Sequence, residues 1–209
     1  GVMLNLNLNL NPNPNLNLNL NLGLNLNLSL NLNHKKMNYF ELYDLPVSFN
    51  PDQELVKQKF YALSKKFHPD FYINESEEKQ AEILELSTLN NKAFQVLRDA
   101  QKRLSYVLTL KGQLSEGDNY VLPQSFLMEM MEVNEALMDL EFEPDAEKFN
   151  LIQAEVDTIE DHLMQQLASL TEAFDQDNAV QESVLFAIKD VYYRKKYLQR
   201  IKESIQKIG

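Results

Sequence analysis

The chain has 209 residues, is 44% hydrophobic and 24% charged, and carries a formal net charge of −11 at pH 7. That is the composition of a globular protein with room for one ordinary domain or two small ones. The negative balance argues against wrapping duplex nucleic acid, whose backbone demands a basic footprint. With no Cys at all, disulfides, thiolate metal sites and cysteine nucleophiles are excluded. His34, His68 and His162 are too scattered for an obvious metal cage.

The average conceals three pieces. Residues 1–34 hold no Lys, Arg, Asp or Glu; residues 35–111 hold 12 basic and 11 acidic side chains; residues 112–209 hold 8 basic and 20 acidic ones. From Leu4 to Asn33 the chain alternates 13 Leu with 13 Asn, broken by Pro12, Pro14, Gly23 and Ser29. A period of two would put Leu on one face of a strand and Asn on the other. Asn at every second position excludes a membrane span, and the missing basic start and apolar core exclude a signal peptide. Two readings remain: disordered or sticky low complexity with a cross-β hazard, or a strand paired on something else, for which nothing later offers a clear partner; residues 1–37 are read as a low-complexity tail without a function. Gly1 resembles a tag-cleavage scar, and Met37 a natural start, which would make the repeat an artefact of gene calling.

The globular part opens with a short helix over Tyr39 to Leu45, ended by Pro46. Asn50 then reads as an N-cap, Pro51 as the first helical residue and Gln53 as the capping-box partner. An amphipathic helix follows over about 51–67. Leu55, Val56, Phe60, Leu63 and Phe67 mark its apolar face, and Lys57, Lys59, Lys65 and Lys66 its other face. Lys65 and Lys66 fall in the last turn, where cations suit the helix dipole. Pro69 bars continuation, so His68, Pro69 and Asp70 fall on a loop. A second long helix is expected over 76–97, with Ile83, Leu84, Leu86, Leu89, Ala93, Phe94 and Leu97 as apolar positions. Its short connection makes it antiparallel to the first. Asp99 caps a further helix that Gly112 stops. Residues 113–123 read as a linker. Three long amphipathic segments complete the chain, at 124–141, 145–174 and 178–207. Their length points to an elongated, coiled-coil-like three-helix bundle. The fold class is all-α, with a small N-terminal helical domain (38–112) and an acidic C-terminal one (124–207).

His68-Pro69-Asp70 between antiparallel helices, after a Lys-bearing helix, resembles the J-domain of the DnaJ co-chaperones. Two further blocks resemble the HscB family of iron–sulfur co-chaperones. One runs from Leu89 to Gly112, with Asn90, Ala93, Phe94, Asp99, Arg103, Tyr106, Val107 and Leu108 at the matching places. Ala100 stands where that family usually has Pro, which relaxes the start of the next helix without abolishing it. The other block is Phe126 to Leu137. The resemblance covers about 38–207, everything except the repeat.

The resemblance implies a non-enzymatic co-chaperone, resident in the cytoplasm, with no cofactor, nucleic-acid or membrane partner. It implies binding to a seventy-kilodalton heat-shock ATPase (HscA or DnaK) through His68, Pro69 and Asp70, with Lys57, Lys59, Lys65 and Lys66 as an electrostatic strip. It implies that the C-terminal bundle holds the scaffold IscU through Leu127, Met128, Met131, Glu132, Glu135, Asp139 and, where the family usually has Phe, Tyr197. With no Cys, the given sequence is not expected to carry the cysteine zinc module of some eukaryotic members. None of these residues needs to do chemistry: they bias a partner's state by binding. Leu127, Met131 and Glu135 share one helix face and Met128, Glu132 and Asp139 an adjacent one. That makes an apolar patch rimmed by carboxylates, to which Met suits protein binding. Met130 and Met138 are expected to add to packing. Plain readings compete at each place: a solvent loop with a helix-ending Pro, a solvated Lys face, and a Leu and Met core stripe. The carboxylates are hard to explain as core. For the whole chain, a general J-domain adaptor with another client and a purely structural helical module remain as alternatives.

Overall fold

The computed structural model describes residues 37–177 and 181–208. The Asn-Leu repeat, His34 and Val180 lie outside the described residues. Within them the chain forms α1 (Tyr39–Leu42), α2 (Gln53–Lys66), a 3-10 turn (Pro69–Tyr72), α3 (Glu77–Arg98) and α4 (Ala100–Leu110). Then come α5 (Gln124–Phe142), α6 (Ala146–Gln176) and α7 (Gln181–Ile208). The fold is all-α, as expected.

The caps explain most of the boundaries. Asn38 and Glu41 form a capping box at the start of α1. This helix closes before Pro46 is reached. Asp44 takes a left-handed φ of 53°. Its N–H donates to the Glu41 carbonyl at 3.1 Å, while Leu45 N–H donates to the Phe40 carbonyl at 2.9 Å. This is a Schellman close, with Asp in the position that tolerates such a φ. α2 also departs from expectation. Its cap is Asp52, whose carboxylate accepts from Glu54 N–H at 2.9 Å and Leu55 N–H at 3.2 Å. Asn50 is drawn away instead to Asp175 of α6, and Gln53 donates to the carbonyls of Pro51 and Leu97. Asp99 caps α4 as expected, accepting from Lys102 N–H at 2.8 Å, and Ala100 is a sufficient first residue without Pro.

α2 and α3 are antiparallel, because their contacts run in opposite senses. Gln53 reaches Leu97, Phe60 stacks on Phe94 with ring centres 4.1 Å apart, and Ser64 meets Asn90. Asn90 is buried and fully used. Its amide donates to the Phe60 carbonyl (3.1 Å) and Ser64 Oγ (3.0 Å), and its Oδ1 accepts from the Tyr43 hydroxyl (2.9 Å). A buried amide satisfied on every side locks one helix register against another. Arg103 is equally committed: Nε donates to the Phe49 carbonyl at 2.7 Å and Nη1 to that of Leu97 at 2.5 Å. Burial lowers its pKa, which Asp99 and Asp175 oppose. The Tyr106 hydroxyl accepts from Tyr39 N–H at 2.9 Å while the two rings stack at 4.6 Å.

The C-terminal core is a seam of three stripes. It takes Phe126, Met130, Val133, Leu137 and Leu140 from α5, Ile152, Val156, Ile159 and Leu163 from α6, and Val191, Leu198, Ile201 and Ile205 from α7. The upper ends of α6 and α7 leave that seam. Phe174, Leu185 and Ile188 join the N-terminal core instead. Phe49 packs edge-on against Phe174 at 4.9 Å. Asp175 accepts from Phe49 N–H (3.0 Å), Asn50 N–H (2.9 Å) and the Asn50 amide (3.1 Å). The segment between α4 and α5 is strapped to α7: Asp118 pairs with Lys189 at 2.8 Å, and Tyr120 stacks on Tyr193 and donates to Asp190 at 2.6 Å. Burial, reinforced by Asp190, pushes the Tyr120 hydroxyl up to about 12. Continuous helices thus run from one core into the other.

Candidate functional site

The loop after α2 is built by a proline constraint. A residue before Pro is driven out of the helical region, and His68 is extended at φ −73°, ψ 122°. Pro69 then opens the 3-10 turn, closed by Phe71 N–H on the His68 carbonyl at 3.1 Å. The Tyr72 hydroxyl donates to the Lys66 carbonyl at 2.9 Å and ties the turn to the end of α2. His68 Nδ1 accepts from Asp70 N–H at 3.4 Å. A neutral imidazole that accepts at Nδ1 carries its proton on Nε2. The Asp70 carboxylate lies 3.7 Å from Nδ1, a true ion pair only when the ring is protonated. The side chains of His68 and Asp70 are 53% and 77% exposed. Pro69 is exposed too. The backbone is fixed while the polar tips are free to meet a partner.

The four Lys are not equivalent. Lys57 and Lys65 are exposed. Lys59 is turned to Asp44 at 3.9 Å, with its side chain mostly covered. Lys66 lies 5.5 Å over the Phe67 ring, and burial together with Lys79 lowers its pKa. Lys57 and Lys65 therefore offer the freest charge, with Lys66 beside the His68 turn.

On α5 the expected patch faces outward. Met128 and Met131 are 56% and 58% exposed, Glu132, Glu135 and Asp139 are exposed, and Leu127 is half-buried. Tyr197 of α7 is half-buried and meets Phe126 edge-on at 6.1 Å. Met130 packs in the core as expected, but Met138 does not: it is 58% exposed. Successive helical residues are rotated by about 100°, so a stripe at 130, 133, 137 and 140 turns 131 and 138 to the far side. Beside the patch lies an open depression of about 410 Å³ lined by Ser125, Phe126, Met128, Glu129, Glu132 and Arg194. The Arg194 guanidinium sits 5.4 Å from the Phe126 ring centre and pairs with Asp190 at 2.6 Å. Its Nε is buried without a partner. Sequence reasoning missed Ser125, Glu129 and Arg194. The available signal was spacing: Ser125 and Glu129 are four apart, and Arg194 lies three before Tyr197.

Comparison with known proteins gives this arrangement a lineage. Residues 38–106 match the family model described as DnaJ domain, and residues 122–206 match the one described as HSCB C-terminal oligomerisation domain. The chain is 33% identical over 147 residues to the co-chaperone protein HscB homolog of Shewanella baltica, covering 69% of this chain and 84% of that one. This chain belongs to the HscB family of J-domain co-chaperones. It is also 42% identical over 105 residues to co-chaperone protein HscB of Buchnera aphidicola, a match spanning 50% of this chain and 60% of that relative's length. The solved structure of chaperone HscB from Vibrio cholerae is 29% identical, with a TM-score of 0.55 over 82% of this chain and 97% of that one. HscB proteins are co-chaperones rather than enzymes. In this HscB-family chain Asn90, Arg103 and Tyr106 act as staples of the fold, whereas the His68 turn and the outer face of α5 are presented to solvent. Among the described residues no helix is long and apolar enough to cross a membrane.

Proposed function

We propose that this chain couples a heat-shock ATPase, HscA or DnaK, to the iron–sulfur scaffold IscU in the cytoplasm. The observation that carries the reading is the outward presentation of Met128 and Met131 beside half-buried Leu127, ringed by carboxylates, on a chain whose His68-Pro69-Asp70 turn is also exposed. The turn meets the ATPase. Asp70 accepts hydrogen bonds from a cationic side chain there, His68 donates from Nε2, and Pro69 holds the spacing between them. This binding favours the ATPase state that hydrolyses ATP, a coupling of binding free energies without proton transfer on this chain. Lys57, Lys65 and Lys66 steer an acidic surface toward the turn and act mainly on the association rate. The α5 patch holds the scaffold: Met side chains fit an irregular apolar surface, and Glu132, Glu135 and Asp139 face basic groups around it. The iron–sulfur cluster is the scaffold's cargo. The lack of Cys fits a reducing compartment.

The test has two arms. Replacing Leu127, Met131 and Tyr197 together with Ala abolishes scaffold binding in calorimetry and leaves ATPase stimulation intact. His68→Gln removes the stimulation and spares scaffold binding. Unchanged scaffold affinity in the triple variant overturns the scaffold assignment, and persistent stimulation in His68→Gln overturns the role of the turn.

A further inference from the structure

The apolar row on the outside of α5 does not stop at Asp139, where the set of residues proposed to hold the scaffold ends. Leu127, Met131, Met138 and Phe142 are separated by four, seven and four residues, which keeps them on one side of a helix. Their side faces away from the buried stripe of Phe126, Met130, Val133, Leu137 and Leu140. Met131 and Met138 are each 58% exposed and Phe142 is 86% exposed. The row spans about 22 Å of helix. α5 also carries Glu129, Glu132, Glu135, Asp139 and Glu141 and no Lys, Arg or His. Glu132, Glu135 and Asp139 flank the row on one side and Glu141 on the other.

We propose that the client surface of α5 continues past Asp139 to the end of the helix, with Met138 and Phe142 as further contact residues for an apolar protein surface rimmed by Lys and Arg. This rests on the reading of α5 as the scaffold-docking face. A second copy of the chain is the rival occupant, and charge argues against it. Two α5 helices laid face to face would bring carboxylate against carboxylate with no base between them, and like charges across an interface are costly. Continuity argues for the client: the row begins in the patch already assigned to it, and no buried side chain interrupts the outer face.

The experiment uses the full chain with purified IscU as the probe. Met138→Ser combined with Phe142→Ser changes only exposed side chains, so circular dichroism and sedimentation should match the parent. Its affinity for IscU by calorimetry should fall about fivefold or more, and raised salt should weaken the parent complex. Affinity within about twofold of the parent, while Leu127→Ala with Met131→Ala still loses binding, overturns the extension and leaves the scaffold reading standing. No loss in either variant overturns both. A parent that sediments as a dimer and a Met138, Phe142 variant that sediments as a monomer assigns the row to self-association and overturns the inference.

Discussion

The two candidate docking surfaces differ in almost every physical respect. The surface around His68 is a short turn held by backbone constraint and backed by Lys side chains; its recognition elements are polar tips. The outer face of α5 is an unbroken helix whose recognition elements are apolar side chains among carboxylates. Different forces follow. The first acts through charge and is screened within about 10 Å at ordinary salt. The second acts mainly through buried apolar area, which salt does not screen, with its carboxylate rim adding a smaller salt-sensitive part. Yet the surfaces are not on independent bodies, because Phe174, Leu185 and Ile188 of the long helices lie in the same core as α2 and α3. The surface proposed to steer and the surface proposed to grip are held by one continuous set of helices.

The comparison is broken most forcefully at the shared core. Phe174→Ala leaves a cavity beside Phe49 and should cost about 3–5 kcal/mol in denaturant unfolding. A loss under about 1 kcal/mol would mean that the two halves hold together without this contact. A smaller effect separates the two forces. Lys65→Ala with Lys66→Ala should slow association with the ATPase several-fold at low salt and have little effect at high salt. Scaffold affinity should not change. The smallest effect concerns the Asp99 cap at the start of α4. Asp99 has a pKa held below the ordinary carboxylate value, first by the Lys102 N–H it accepts, with nearby positive charge adding to the effect. A depressed carboxylate stabilises the fold above its unfolded value of about 4. That contribution disappears as pH falls through the lower folded value. Asp99→Ala should therefore lower the melting temperature at pH 7, and the gap to the parent should narrow as pH falls below about 4.

Much of this was legible before any coordinates. The expected helices over 76–97, 124–141 and 145–174 differ from α3, α5 and α6 by at most two residues at either end. Local signals control such boundaries: Ser76, Asp99 and Asp145 each cap a helix with their own side chain. The failures are cases where a distant group outbid a local one. Asn50 carried a good capping pattern, but Asp175, far along the chain, offered its carboxylate to Asn50 N–H and amide together. α1 closed early because Asp44 could take a left-handed φ, which spacing does not reveal. In the α5 patch, the identity of the candidate residues was legible, while Ser125, Glu129 and Arg194 emerged only once α7 was laid against α5.

The opening arithmetic had three compositional pieces: an uncharged repeat, a nearly neutral segment and an acidic one. The sequence alone determined that the second carries a proline-broken helix pair and the third a set of long amphipathic helices, because caps, breaks and periodicity act over one or two turns. It could not determine which side of α5 turns inward. That helix is apolar on two faces, and periodicity reports the faces without ranking them. The tertiary structure ranked them: Met130 and its stripe meet α6 and α7, and Met131, Met138 and Phe142 are left outside. It also decided that the segment between the halves is strapped down by Asp118 and Tyr120. Both outcomes depend on which side chains from distant helices are close enough to bury a surface or complete a hydrogen bond, and only the assembled fold sets those distances.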